Sequence, residues 1–166
     1  MGFKIEIHPV KWLYYYLVED DRNGGAIIAS SYTVRENKLT GLKSKLVLSF
    51  NDIFDFNDES AFNKAIASEI HSYIKGIQPD IEVLYVCCDS GESRSSAIAA
   101  AITRFYGKDD MYIWADPHFH PNPLVYKLLC EELGIALLDG EIERKIELNN
   151  NALAMKIADS RNILSD

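Results

Sequence analysis

Cysteine is scarce in this chain: three residues in 166, two of them adjacent (Cys87 and Cys88). That rules out a disulfide framework and predicts a reducing, cytoplasmic setting. Long apolar runs are missing too. Nothing approaches the length of a membrane span and no secretory signal pattern opens the chain, so no membrane partner is expected. Positive charge is in deficit, with 17 Lys and Arg against 25 Asp and Glu and a net charge of −8. A nucleic-acid partner would need a basic footprint, and none is present. Internal repeats and low-complexity tracts are also absent.

The composition that remains is 48% hydrophobic and 25% charged, as in a soluble globular protein. The length predicts a single domain over 1–166, with 139–166 as a C-terminal helical extension of one or two helices, interrupted at 149–151. Residues 3–7 and 45–50 alternate in polarity and read as strands. Residues 26–29 and the apolar run from 81 read as buried strands. Residues 12–18 are aromatic-rich and fit either helix or strand. Asn23-Gly24-Gly25 is a turn, 30–43 is loop-like, and Pro79-Asp80 turns into the central strand. An amphipathic helix is predicted over 59–76, with Phe62, Ile66, Ile70, Tyr73 and Ile77 at helical spacing. Residues 111–114 and 135–138 are short apolar segments. The pattern predicts an α/β fold: a central, mostly parallel sheet of four to five strands with helices on both faces.

The stretch from 81 to 107 organises the rest. An apolar strand runs into CDSGESR, and an Ala-rich helix follows, with Gly107 at its C-terminal stop. A loop wrapping a helix N-terminus turns backbone N–H groups toward an anion, with the positive helix end behind it. Gly91 permits the angles of a tight wrap. Arg94 offers a planar fork for two phosphate oxygens. In the same positive field Cys88 is the expected thiolate nucleophile.

This loop resembles the signature of the cysteine-dependent phosphatases, the superfamily of the protein-tyrosine and dual-specificity phosphatases. Their pattern, Cys-x-x-Gly-x-x-Arg-Ser/Thr with Ser often before the Arg, is filled by Cys88, Gly91, Ser93, Arg94 and Ser95. The family usually has His before the nucleophile; here that place is Cys87. The resemblance implies phosphate monoester hydrolysis through a cysteinyl-phosphate. Cys88, Arg94 and Ser95 would be catalytic, and Asp89, Ser90, Gly91, Glu92 and Ser93 would bind substrate. It also implies a general-acid Asp on a loop about thirty residues upstream, after a strand. Asp52 follows the predicted strand end directly and is favoured. Asp55 is second, and Asp58 reads better as a cap of the next helix. Pro121-Asn122 matches the pair that opens the helix after the signature helix in the dual-specificity group, where the Asn braces the phosphate loop. As residues alone, Asn122 and Pro123 are also sound helix-start grammar.

His118 and His120 lack further ligands, so no metal is expected, and no cofactor. Strand alternation turns Cys87 away from the phosphate, and Cys87 and Cys130 are expected to be structural. The expected partner is a phosphorylated protein or a small aryl phosphate. The loop's acidic Asp89 and Glu92 disfavour polyanionic headgroups, and aromatic segments 12–16, 54–56 and 114–119 offer walls for a ring. Two other readings stand beside this one: a phosphate-binding pseudo-phosphatase without turnover, and a rhodanese-like sulfur transferase. The second is disfavoured by the Gly91/Ser93/Arg94/Ser95 set.

Overall fold

The computed structural model describes residues 2–17, 22–55, 57–77 and 81–163. The readings at Val18, Phe56 and Pro79-Asp80 lie outside those residues. Four strands form one parallel sheet: β1 (Lys4–Pro9), β2 (Gly24–Ser30), β3 (Ser44–Ser49) and β4 (Val83–Cys88), in the order β1-β4-β2-β3. The helices are α1 (Val10–Tyr16), α2 (Lys64–Gly76), α3 (Arg94–Phe105), the single turn α4 (Met111–Trp114), α5 (Pro123–Glu132) and α6 (Glu141–Ile163). The expected α/β architecture is present, with four strands, all parallel, among the described residues.

β4 is central because it can be. Each of its six residues is buried, and its neighbours β1 and β2 pair with it on both sides. A strand covered on both faces reads as a continuous apolar run. Its alternate residues serve different layers. Leu84, Val86 and Cys88 join the core under α2, α3 and α5, and Val83, Tyr85 and Cys87 join the core under α1. Small side chains Ala97, Ala99, Ala100 and Ala101 let α3 lie close to the sheet.

Because the sheet is parallel, all strand ends of one kind meet on one edge. Pro9, Ser30, Ser49 and Cys88 are the four carboxyl-terminal strand residues. Pro9 and Ala29 both stand opposite Cys88 in register. Open α/β sheets place their ligands along this edge.

Several boundaries differ from the sequence reading: Gly24 and Gly25, read as a turn, pair within β2, and the strand read over 3–7 runs on to Pro9. The helix predicted over 59–76 starts at Lys64, because Asn63 caps it by accepting from the N–H groups of Ala65 (3.0 Å) and Ile66 (3.1 Å). Asp58 is not that cap. It makes a local turn, accepting from Ser60 N (2.8 Å) and Ser60 Oγ. The tail is one helix, α6, with no break at 149–151. Polar residues on its inner face are paired within the core. Lys145 Nζ donates to Asp110 Oδ1 at 2.7 Å, and Asn149 Nδ2 donates to the carbonyls of Trp114 (3.0 Å) and Phe119 (2.8 Å). Asp110 in turn accepts from Trp114 Nε1 and Tyr126 Oη, so α4, α5 and α6 share one buried polar node.

The edge strand carries a second charged cluster. Arg22 Nη1 donates to Glu6 Oε1 at 2.8 Å, and Lys4 and His8 lie within 3.4 Å of the same carboxylate. The Arg22 hydrogen bond is the main reason that Glu6 is held down at about 2, against an ordinary 4.5. A carboxylate depressed on folding stabilises the fold fully above its unfolded value and loses that contribution as pH falls through the folded value. Chemical denaturation should therefore show wild-type stability falling between about pH 4.5 and pH 2. Glu6→Gln should be less stable at pH 7 and lose less across that window. Parallel pH profiles for the two proteins would show that other carboxylates govern the acid limb.

Candidate active site

The loop between β4 and α3 is wrapped as its residue types require. Gly91 has φ of +79°, and a Cβ there would fall 2.5 Å from Pro9 N and 2.7 Å from His8 C. Both the left-handed angle and the close approach of the β1 end demand glycine. The turn brings the Gly91 N–H to 3.2 Å from Cys88 Sγ, toward which it donates. Ser95 Oγ, in the first turn of α3, lies 3.1 Å from the same sulfur. Cys88 is buried at the loop's base.

The loop is anchored from behind. The Glu92 carbonyl accepts from His120 N (3.0 Å) and Ser96 Oγ, and the Ser93 carbonyl accepts from Asn122 N (3.3 Å). Ser90 Oγ accepts from Glu92 N at 3.3 Å and Ser90 is exposed on the rim. The Glu92 side chain borders a cavity of about 340 Å³ shared with His118, His120 and Lys156.

Asp52 reaches the loop from the end of β3. Its Oδ1 accepts from Ser93 Oγ at 2.9 Å and from Asn122 Nδ2 at 2.7 Å. Asn122 also donates to the Ile53 carbonyl, while its Oδ1 caps α5 by accepting from Leu124 N and Val125 N. One side chain thus starts a helix and ties the 52–53 segment to it. Asp55 turns away and accepts from Asn57 N and Nδ2. Of the three candidate aspartates, Asp52 alone is bonded to the signature loop.

Arg94 is nearly fully buried, at 4% exposure. Its Nη1 donates to Ser31 Oγ (2.9 Å) and the Phe50 carbonyl (2.7 Å), and its Nη2 donates to Asp89 Oδ2 (2.5 Å). Its Nε has no hydrogen-bond partner among the described residues. A guanidinium carries five N–H donors. Three are assigned, which leaves Nε–H and one N–H of Nη2. Asp89 is held in turn by Ser30 Oγ (2.5 Å) and Ser31 N (3.1 Å). Its side chain therefore faces Arg94 and the β2 end. Burial pushes Asp89 up, but hydrogen bonds from Ser30, Arg94 and Ser31 outweigh it and hold the carboxyl below its usual value.

Ser30, Ser31 and the Phe50 carbonyl are absent from the sequence reading of the site. Their one signal is position: each closes or follows a strand predicted for the same parallel sheet. Burial, reinforced by the neighbouring Cys88, pushes the Cys87 thiol far up, and burial pushes Cys130 up to about 12. Trp114 is packed edge-on against Tyr126 in the core, so it offers no wall for a ligand. Among the described residues, no group of three or more His, Cys, Asp or Glu is arranged for a metal. No described helix is long and apolar enough to cross a membrane.

No protein-family model matches the sequence, and no curated protein matches it. Solved structures do. The human tyrosine phosphatase-like serine/threonine/tyrosine-interacting protein matches at 18% identity and TM-score 0.50, over 76% of this chain and 89% of that one. The fold is the protein-tyrosine phosphatase-like fold. Weaker superpositions include PTPMT1 in complex with PI(5)P, with 13% identity, TM-score 0.44, and 92% and 94% of the two chains covered. Human DUSP28 matches at 11% identity and TM-score 0.43, over 92% and 94%. In this chain the strand–loop–helix carrying Cys88 and Arg94 lies at the carboxyl edge of the sheet.

Proposed function

We propose that the protein hydrolyses phosphate monoesters through a cysteinyl-phosphate intermediate. One observation carries the reading: the loop and the first turn of α3 hold the Cys88 sulfur between Gly91 N–H and Ser95 Oγ, and Asp52 is bonded to that loop through Ser93. Cys88 thiolate attacks phosphorus, the S–P bond forms and the P–O ester bond breaks. Protonated Asp52 gives its proton to the leaving oxygen. A water then attacks phosphorus, Asp52 takes a proton from it, and the S–P bond breaks to release inorganic phosphate and the thiolate. Ser95 donates to the departing sulfur. Arg94 contributes Nε–H and the second Nη2 N–H to two phosphoryl oxygens, stabilising charge that is spread in the transition state.

The substrates proposed are aryl phosphates of the phosphotyrosine type. Two exposed rings, Tyr32 and Phe54, stand within two residues of Ser31 and Asp52. Such rings offer apolar walls to an aromatic ester. The acidic side chains at Asp89 and Glu92 add no attraction for a polyanionic headgroup. In a phosphate-release assay, turnover of p-nitrophenyl phosphate and of a phosphotyrosine peptide should exceed turnover of a phosphoinositide or a mononucleotide by at least tenfold. A phosphoinositide preference would overturn the substrate class. Tungstate binding without turnover of any ester would favour a non-catalytic phosphate-binding module.

A further inference from the structure

The reading above uses Arg94 but leaves open what fixes it, and Asp89 has no part in the chemical steps. A guanidinium can be held by either of two edges. The lateral edge is formed by Nε–H and the adjacent N–H of Nη2, and the end is formed by both Nη groups. Here the end is taken: Ser31 Oγ and the Phe50 carbonyl receive Nη1, and Asp89 Oδ2 receives Nη2. The donors left over are Nε–H and one N–H of Nη2, the two nitrogens from which the lateral edge is made. That edge matches two oxygens of a tetrahedral oxyanion. A buried donor without a partner is costly, and a bound oxyanion is an acceptor that would satisfy Nε.

We infer that Asp89 is a positioning residue: clamped by Ser30 and Ser31 from the end of β2, it fixes the end of the Arg94 guanidinium and so presents the lateral edge to the bound anion. The inference rests on the anion-loop reading. The clamp reaches across two strands, because Ser30 Oγ donates to Asp89 Oδ1 (2.5 Å) and Ser31 N to Oδ2 (3.1 Å). The side chain is three-quarters covered and its partners are all donors. An amide at position 89 would set an N–H₂ against one of them. The hydrogen bonds and charge that keep Asp89 ionised mean that the clamp persists through the neutral range.

A double-mutant cycle separates positioning from plain structural support. Asp89→Ala, Asp89→Asn, Arg94→Lys and Asp89→Ala/Arg94→Lys would each be titrated with tungstate by calorimetry and assayed on p-nitrophenyl phosphate. Asp89→Ala and Asp89→Asn should each weaken tungstate binding and lower kcat by about 10- to 100-fold, with KM changed less than threefold. Asp89→Glu should recover part of the loss. In the Arg94→Lys background, Asp89→Ala should cost less than threefold further. If Asp89→Ala does not fold, Ser30→Ala, which removes one arm of the clamp, should weaken tungstate binding several-fold in the Arg94 protein and leave the Arg94→Lys protein unchanged. Additive losses, or tungstate affinity unchanged in a folded Asp89 or Ser30 variant, would overturn the inference. A wild-type protein that binds no tungstate would overturn it together with the proposed function. Coupling in tungstate affinity without turnover would overturn the function alone.

Discussion

Cys88→Ser should abolish hydrolysis of p-nitrophenyl phosphate while the protein still binds tungstate. The expected loss in kcat is on the order of 10⁴- to 10⁶-fold, the scale on which removing a covalent nucleophile is felt. A serine hydroxyl is a poor nucleophile unless a base takes its proton, and the loop supplies none. Gly91 N–H, 3.2 Å from the sulfur, can only donate, and Ser95 Oγ at 3.1 Å is not a base. The substitution is nearly isosteric, so the loop shape set by Gly91 and the hydrogen bonds of Arg94 should stay in place. Tungstate affinity should change by less than about tenfold, within the ~1.4 kcal/mol of a modest polar contact. Stopped-flow or endpoint phosphate release together with calorimetry would read both halves. Near wild-type activity in Cys88→Ser would sink the covalent mechanism. Loss of both activity and tungstate binding would show that Cys88 supports the loop and carries no chemistry.

The same chemistry separates the three cysteines. Cys87 points to the layer under α1 and Cys130 sits within α5, and both thiols are pushed up by burial. They are poor thiolates at neutral pH. Adjacent strand residues face opposite sides of the sheet, which places Cys87 and Cys88 in different layers.

The loop was legible in the sequence because its chemistry is contiguous. Cys88, Gly91, Ser93, Arg94 and Ser95 lie within eight residues, and strand-then-helix patterning fixes the loop between them. The place of Asp52 was legible only through the resemblance, which puts an acid directly after a strand; in the structure its carboxylate accepts from Ser93 of the loop. The partners of Arg94 were not legible. A backbone carbonyl such as that of Phe50 has no sequence signature, and Ser30 and Ser31 become relevant only once β2 is known to pair with β4. The tail is helical, as read, but the interruption expected at 149–151 is absent, for a different reason. Helical patterning looks for apolar residues on the inner face, but α6 buries Lys145 and Asn149 there, at 4% and 6% exposure. Each is satisfied by a partner at least thirty residues away: Asp110 for Lys145, and the Trp114 and Phe119 carbonyls for Asn149. Buried polar groups with such partners are compatible with a core, yet they erase the apolar stripe. The start of α2 moved because two capping residue types, Asp58 and Asn63, compete in one short stretch. The one placed directly before the apolar face prevailed.

Asp52→Asn should cut turnover of phenyl phosphate by about 10²- to 10⁴-fold, the usual worth of a positioned general acid. Phenolate is a poor leaving group and needs the proton as its P–O bond breaks. On p-nitrophenyl phosphate, whose leaving group is far more stable as an anion, the loss should be smaller by at least tenfold. That difference distinguishes proton transfer from a packing defect, which would lower both rates alike. Geometry favours a clean comparison. Asp52 Oδ1 is fixed by Ser93 Oγ (2.9 Å) and Asn122 Nδ2 (2.7 Å), both able to donate. An asparagine that keeps its oxygen on that side leaves its N–H₂ group where Oδ2 stood, in a position to hydrogen-bond a leaving oxygen but not to protonate it. Asp55 provides the control: its Oδ1 is bonded to Asn57, away from the loop, so Asp55→Asn should leave both rates within twofold. Equal losses on the two esters in Asp52→Asn would reduce Asp52 to a brace between Ser93 and Asn122. An unchanged phenyl phosphate rate would remove it from the reaction, and a loss in Asp55→Asn would hand the role to the other aspartate.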